Sequence, residues 1–492
     1  VGQLRQLAGQ TVLYGASSVI GRVLNYLLVP LYTAVFSPED YGVVTELYAF
    51  VAFLNILYTY GFETAYFRFA TKSDHPAHYF NISQTSLIFS SLLFSGVLVI
   101  FSGDIASLLL YPNHGKYIIW LAAVLAIDAV VAVPFARLRL EGKALKFASL
   151  KLFNIGLNIG LNLFFLLFCP WWLESHPQSW VTLVYNDSLG VGYVFLSNLI
   201  ANGAYLLFFS PWFIQLKITL GEEWKVMLRY SWPLLVMGFA GVTNEMLSRV
   251  LLKYCLPEGF YPGESNQEIL GIFGASYKLS VFMTLAVQAF RYAFEPFFFS
   301  KSGDKNSPEL FARVMHGFII FGAISWMIIS LFLPELAPIF LRRSSYLSAL
   351  DIVPWLLGGG LFLGIYFNLS VWYKLTDRTI YGAWITLVGA GVTLVGNFLL
   401  IPVFGYMGSA VTTFASYLVM VLISYFIGQK HYFIPYHTGK GLFYILLAGL
   451  SILGVYFCEL SLVSKYFISI FLIVLFIAIV WLLDIRRGTF KS

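Results

Sequence analysis

Long apolar stretches alternate along the chain with short polar breaks, many of them carrying Pro or Gly. A bilayer core of roughly 30 Å is crossed by about 20 apolar residues of helix. By that measure fourteen spans are predicted, at 10–36, 42–66, 80–102, 117–137, 147–169, 191–213, 230–252, 269–296, 311–333, 350–373, 380–402, 406–428, 440–459 and 465–484. Backbone polar groups in lipid must be satisfied within the segment, so apolar runs of this length are helical. Thr11 to Phe36 is too long for the apolar region of a signal peptide and lacks a small-residue cleavage site, so it reads as the first span. The largest loop is about 20 residues, well short of a domain. Whatever the protein does is therefore done by its helices.

Composition agrees with the pattern. Of 492 residues, 59% are hydrophobic and only 11% charged, against about 25% charged in soluble domains. Aromatics reach 18%, with Tyr and Trp near span ends, as at a headgroup layer. The net charge of +6 is scattered between apolar runs rather than gathered on one face. It therefore argues for membrane topology and against nucleic acid as a partner. With both termini placed in the cytoplasm, 20 Lys and Arg fall inside and 5 outside, the rest lying in or beside spans. That asymmetry is the positive-inside pattern and supports the assigned orientation. Cys169, Cys255 and Cys458 show no ligand spacing, and no disulfide or metal site is predicted.

An internal repeat is visible. A shift of 229 residues pairs Gly42 with Gly271, Tyr48 with Tyr277, Phe53 with Phe282, Phe69 with Phe298, Lys72 with Lys301 and Ser73 with Ser302. Asn162-Leu-Phe-Phe in the fifth span is echoed by Asn397-Phe-Leu-Leu in the eleventh. Two six-helix lobes, 1–216 and 217–430, followed by two additional helices in 431–492, are the predicted organisation. An even number of spans per unit makes the repeats parallel.

Phe36-Ser-Pro-Glu-Asp-Tyr-Gly42 after the first span and Asn397-Phe-Leu-Leu-Ile-Pro-Val-Phe-Gly-Tyr-Met-Gly-Ser-Ala410 around a tight reversal carry a resemblance. So do Asn244-Glu245 with Arg249, and Gln288-Ala-Phe-Arg-Tyr-Ala-Phe-Glu-Pro296. Together they make the chain resemble the polysaccharide-transport branch of the multidrug/oligosaccharidyl-lipid/polysaccharide exporter superfamily. The resemblance implies an all-α polytopic fold, two lobes around a central cavity, and outward flipping of an undecaprenyl-diphosphate-linked oligosaccharide by alternating access. It implies no cofactor beyond coupling to H+ or Na+. As partners it implies membrane lipids, the lipid-linked substrate and other polysaccharide-assembly membrane proteins. A lipid II flippase, a multidrug or cation antiporter of the same superfamily, and a membrane polymerase or ligase are the alternatives. No HExxH or GxSxG occurs, and the seven His sit mainly in short loops, so the chain does not read as an enzyme.

Ionisable side chains inside a bilayer are costly and normally face protein or a wet cavity. Arg22 and Asn25 share one face of the first span with Tyr14 and Ser18. Lys278 has no carboxylate three or four residues away, whereas Arg249 has Glu245 at i−4 and can pair with it. Arg22, Arg249, Lys278, Asn25 and Gln288 are the candidate substrate contacts, the cations for the diphosphate. The plain alternative is structural pairing between helices. Glu46, Asp128 and Glu245, with Asn244 and Asn397, are the candidates for ion coupling, although the eleventh span carries no Asp or Glu. Glu63 and Arg68, with Arg291 and Glu295 in repeat-related places, are read either as a cytoplasmic gate or as charges snorkelling at the interface. Asn154, Asn158 and Asn162 form a stripe suited to interhelical hydrogen bonds, and Pro30 and Pro134 are predicted kinks.

Overall fold

The computed structural model describes residues 19–301, 307–458 and 461–486, excepting the side chains of 292–293, 295–301, 462 and 485. Every regular element among these residues is helical. In chain order the principal helices are α1 (Val19–Val35), α2 (Pro38–Thr71), α3 (Pro76–Ile100), α4 (Gly115–Leu140), α5 (Ala144–Ser175), α6 (Gly192–Ile214) and α7 (Glu222–Cys255). They continue with α8 (Asn266–Arg291), α9 (Ser307–Leu331), α10 (Ser344–Leu375), α11 (Ile380–Phe404), α12 (Tyr406–His431), α13 (Thr438–Phe457) and α14 (Val463–Asp484). Among the described residues thirteen of these, α2 to α14, are long and apolar enough to cross a membrane. The expected count was fourteen. α1 is apolar but shorter, because residues 10–18 of the predicted first span lie outside the described residues.

Proline accounts for several local features. In α4, Pro134 has no N–H to give the carbonyl of Val130. Gln84 of α3, fully buried, supplies the missing donor, its Nε2 donating to that oxygen at 2.9 Å. α1 breaks at Leu27, three residues before Pro30, as that proline predicts. α2 breaks at Tyr60 and Gly61, where φ is 31° and 74°. α5 contains a π-helical turn, Phe164–Phe168, just before Pro170.

The chain forms two compact units. One comprises 19–28 and Val43–Val242, the other Val29–Gly42 and the described residues from Thr243 on. In the first, α4 packs on α3 and α6, and α5 on α6. Its core includes Phe62, Tyr66, Phe80, Val133 and Met227. In the second, α12 packs on α10 and α11, α8 on α10, and α9 on α13. There the start of α2 meets the start of α8 backbone to backbone. A Cβ on Gly271 would lie 1.8 Å from the Pro38 carbonyl oxygen, and one on Gly42 would lie 2.3 Å from that of Gln267. Only glycine permits so close an approach.

In lipid, apolar surface alone does not hold helices together, and packing and polar contacts decide which faces meet. The attachment of α14 illustrates this. Asp484 is fully buried and accepts from Lys440 Nζ at 2.6 Å and from the Tyr444 hydroxyl at 2.5 Å, both on α13. His316 Nε2 of α9 lies 3.0 Å from the same carboxylate.

Candidate functional site

In the first unit the polar stripe of α5 turns inward. Asn154 Nδ2 donates to Asn202 Oδ1 of α6 at 2.9 Å, and Asn202 Nδ2 donates to Asp128 Oδ1 of α4 at 2.9 Å. Three helices are thereby joined through one carboxylate. Lys151, one turn before Asn154, is the cation whose field reaches Asp128. Its ammonium lies 4.2 Å from the centre of the Phe135 ring and 5.5 Å from that of Tyr205, a geometry that attracts a cation in a desolvated place. Asn162 is fully buried and donates from Nδ2 to the carbonyl of Asn158 at 2.8 Å.

The second unit holds a larger network without formal charge. Asn244 of α7 accepts from Thr393 of α11 at 3.1 Å and donates to the Thr386 carbonyl at 3.2 Å. Thr393 also lies 3.0 Å from Ser416 of α12. Asn397 donates to Ser248 of α7 at 3.0 Å and to the Thr393 carbonyl at 2.7 Å, and accepts from Ser409 of α12 at 3.0 Å. Asn397, Thr393, Ser409 and Ser416 are fully buried. α7, α11 and α12 thus share an array of amide and hydroxyl oxygens.

The intramembrane cations of the second unit gather on α7 and α8. Arg249 stacks over Tyr277, its guanidinium carbon 4.0 Å from the ring centre. Among the described residues it forms no ion pair with Glu245, so the i, i+4 pair that the spacing allows is replaced by an aromatic contact with α8. Arg249, Glu245 and Lys278 are near enough to act on one another electrostatically. Two cations therefore share the field of one carboxylate, and Lys278 makes no hydrogen bond or ion pair of its own among the described residues. Gln288, further along α8, leaves Oε1 shielded from solvent with no hydrogen bond among the described residues.

The other predicted residues are dispersed. Arg22 and Asn25 are exposed on α1 of the first unit. Glu46 is fully buried and accepts from the Tyr111 hydroxyl. Glu63 pairs with Arg139 of α4, and Arg68 lies over Tyr230 at 4.2 Å. Arg291 lies over Phe367 at 4.8 Å, while the side chain of Glu295 is outside the described residues. Sequence pattern alone does not single out Asn202, Thr393, Ser416 or the His316–Lys440–Asp484 cluster. The first three stand on strongly apolar helices, where any buried amide or hydroxyl must find a partner, and that is the signal that points to them.

Buried polar networks and charged side chains within the spans of a multi-pass helical membrane protein are the features of a substrate or ion pathway. Residues 7–301 match the sequence family described as "Polysaccharide biosynthesis protein", and the chain belongs to that family. No curated protein sequence matches it. Its fold is similar to that of the lipid II flippase MurJ in an inward closed conformation, with a TM-score of 0.71 at 13% identity over 96% of this chain and 99% of the other. It is also similar to a multidrug resistance MATE family transporter of the MOP superfamily in an inward-facing conformation, with a TM-score of 0.62 at 14% identity over 85% and 94% of the two chains. An outward-facing MATE structure gives 0.59 at 15% identity over 86% and 95%. Family and fold together place the chain among membrane flippases and transporters.

Proposed function

We propose that the protein flips a lipid-linked oligosaccharide, carried on undecaprenyl diphosphate, from the inner to the outer leaflet of the bacterial cytoplasmic membrane by alternating access, with both termini in the cytoplasm. The observation that carries this proposal is the excess of cation over carboxylate at Arg249, Lys278 and Glu245 within the spans of a polysaccharide-biosynthesis chain. Buried positive charge gains most from an anionic ligand, and a diphosphate is such a ligand. The same ligand class is assigned to Arg22, with Asn25 and Gln288 as hydrogen-bonding contacts. Proton exchange is assigned to Asp128, and cation binding by neutral oxygens to Asn244 and Asn397. Other membrane proteins of polysaccharide assembly would supply and consume the substrate.

A lipid II flippase is the second reading, favoured by the fold that covers 99% of the MurJ chain. Proteoliposomes separate the two. Flipping of undecaprenyl-diphosphate oligosaccharide, lipid II and a lipophilic cation is measured side by side at matched protein content. The oligosaccharide lipid is expected to move fastest. Lys278→Ala, Arg249→Ala and Arg22→Ala should each slow it by about tenfold or more, and Arg22→Lys by less, because lysine cannot grip phosphate oxygens bidentately. Preferred transport of the lipophilic cation, or wild-type rates in the alanine variants, would overturn the proposal.

A further inference from the structure

At the end of the second unit where the α9–α10 and α13–α14 connections lie, a crevice of about 220 Å³ opens between four helices. Glu335, Asp351, Ser330, Lys465 and Tyr466 line it together with an apolar wall that includes Leu331, Leu333, Ile452 and Val455. None of these residues belongs to the sites described above. The Tyr466 hydroxyl donates to Glu335 Oε1 at 2.5 Å. Glu335 Oε2, Asp351 Oδ1 and Ser330 Oγ are shielded from solvent and accept no hydrogen bond among the described residues. Leaving such oxygens unsatisfied is costly, most of all for a carboxylate.

We propose that this crevice holds the headgroup of an aminophospholipid, its ammonium on Glu335, Asp351 and Ser330 and its phosphate on Lys465. The donor count fits: a primary ammonium offers three N–H groups, and three oxygens of side chains on the crevice wall await a donor, which they meet by rotating toward the crevice. Lys465 lies on the same wall and forms no ion pair among the described residues, so it is available to a phosphate. The apolar residues continue the crevice along the helices, where acyl chains run. A choline headgroup, with no N–H, satisfies none of the three acceptors. A metal ion is a poorer occupant, because no group of three or more His, Cys, Asp or Glu suited to one occurs among the described residues. Under the topology proposed above, the crevice faces the outer leaflet.

The test is native mass spectrometry of the full chain, released in mild detergent from liposomes of equal phosphatidylethanolamine, phosphatidylcholine and phosphatidylglycerol. Phosphatidylethanolamine should be retained about tenfold over phosphatidylcholine. Glu335→Gln and Asp351→Asn should each reduce that preference by about fivefold or more. Lys465→Met should lower retention of both lipids while preserving their ratio. Equal retention of the two by the wild type, stronger retention of phosphatidylglycerol, or an undiminished preference in both carboxylate variants would overturn the assignment. So would displacement of the lipid by soluble phosphoethanolamine at equal concentration, which would make the ligand a free amine. Melting temperatures of the variants identify any that fail to fold. Asp351→Asn, away from the Tyr466 bond, keeps the test open if Glu335→Gln is one of them.

Discussion

α5 and α11 start from the same local device and end in different chemistry. Asn162 and Asn397 are both fully buried, and each donates its Nδ2 to the carbonyl four residues earlier, at 2.8 and 2.7 Å. One to three turns back the two helices part. α5 presents Lys151 and Asn154, and through Asn202 it reaches the carboxylate of Asp128. α11 presents Thr393 and reaches only the amide of Asn244 and the hydroxyl of Ser416. A shared scaffold thus carries a titratable carboxyl beside a cation in one unit and neutral oxygens in the other. The difference matters because a carboxylate beside an ammonium can change its net charge, whereas an amide and hydroxyl array can only solvate a charge that arrives.

The most severe way to break this contrast is Asp128→Asn. The amide keeps the shape and can still meet Asn202, but it leaves Lys151 without its main counter-charge. Flipping driven by a pH gradient is expected to fall by about tenfold or more, with a smaller change in gradient-free exchange. Unaltered gradient dependence in proteoliposomes would move the proton step away from the first unit. Asn397→Asp makes the opposite change, placing charge where none stands. It removes the donors to Ser248 and to the Thr393 carbonyl, so stability should drop by about 2–4 kcal/mol. Added sodium should restore much of it if the surrounding oxygens can close on a cation. Thermal unfolding in detergent with sodium or with a bulky organic cation reads the difference, and equal melting points in both would remove cation binding from this network.

The smallest effect is expected outside the spans, at Glu141. Burial works to raise its carboxyl pKa, but hydrogen bonds from Lys143 and Arg137 outweigh it and hold the group below its ordinary value. A carboxyl lowered in the folded state adds stability above its unfolded pKa of about 4, and that contribution is lost as pH falls through the lower folded value. Glu141→Gln should therefore flatten the acid side of the stability profile and cost less than about 1 kcal/mol near neutrality. A larger loss at pH 7 would mean that charge clusters at span ends matter as much as those within the membrane.

The helices were legible in the sequence because bilayer thickness imposes their length. The predicted 380–402 is observed as Ile380–Phe404, and the predicted 191–213 as Gly192–Ile214. Boundaries slipped where a helix runs on into water. α7 begins at Glu222 instead of near 230, since Glu222 and Glu223 suit a helix start but not lipid. Candidate residues were legible as types and not as partners. Asp128 stood out, yet its hydrogen bond comes from Asn202, 74 positions away. Spacing matches Arg249 to Glu245, and the Tyr277 ring of another helix takes the guanidinium instead. Spacing reveals which side chains share a face, but the facing helix decides whom they meet.

The glycine contact between the starts of α2 and α8 carries a consequence of its own. The 229-residue shift sends Gly42 to Gly271 and Pro38 to Gln267. Gly42 abuts Gln267, and Gly271 abuts Pro38. Each position therefore touches the counterpart of what its own counterpart touches, which is the rule of an isologous interface between identical subunits. At this joint the polypeptide behaves as a dimer of itself, with a local twofold axis passing between the two glycines. Unlike a true dimer, in which every substitution appears twice, a change at either glycine here falls on one half of the joint alone and breaks its symmetry.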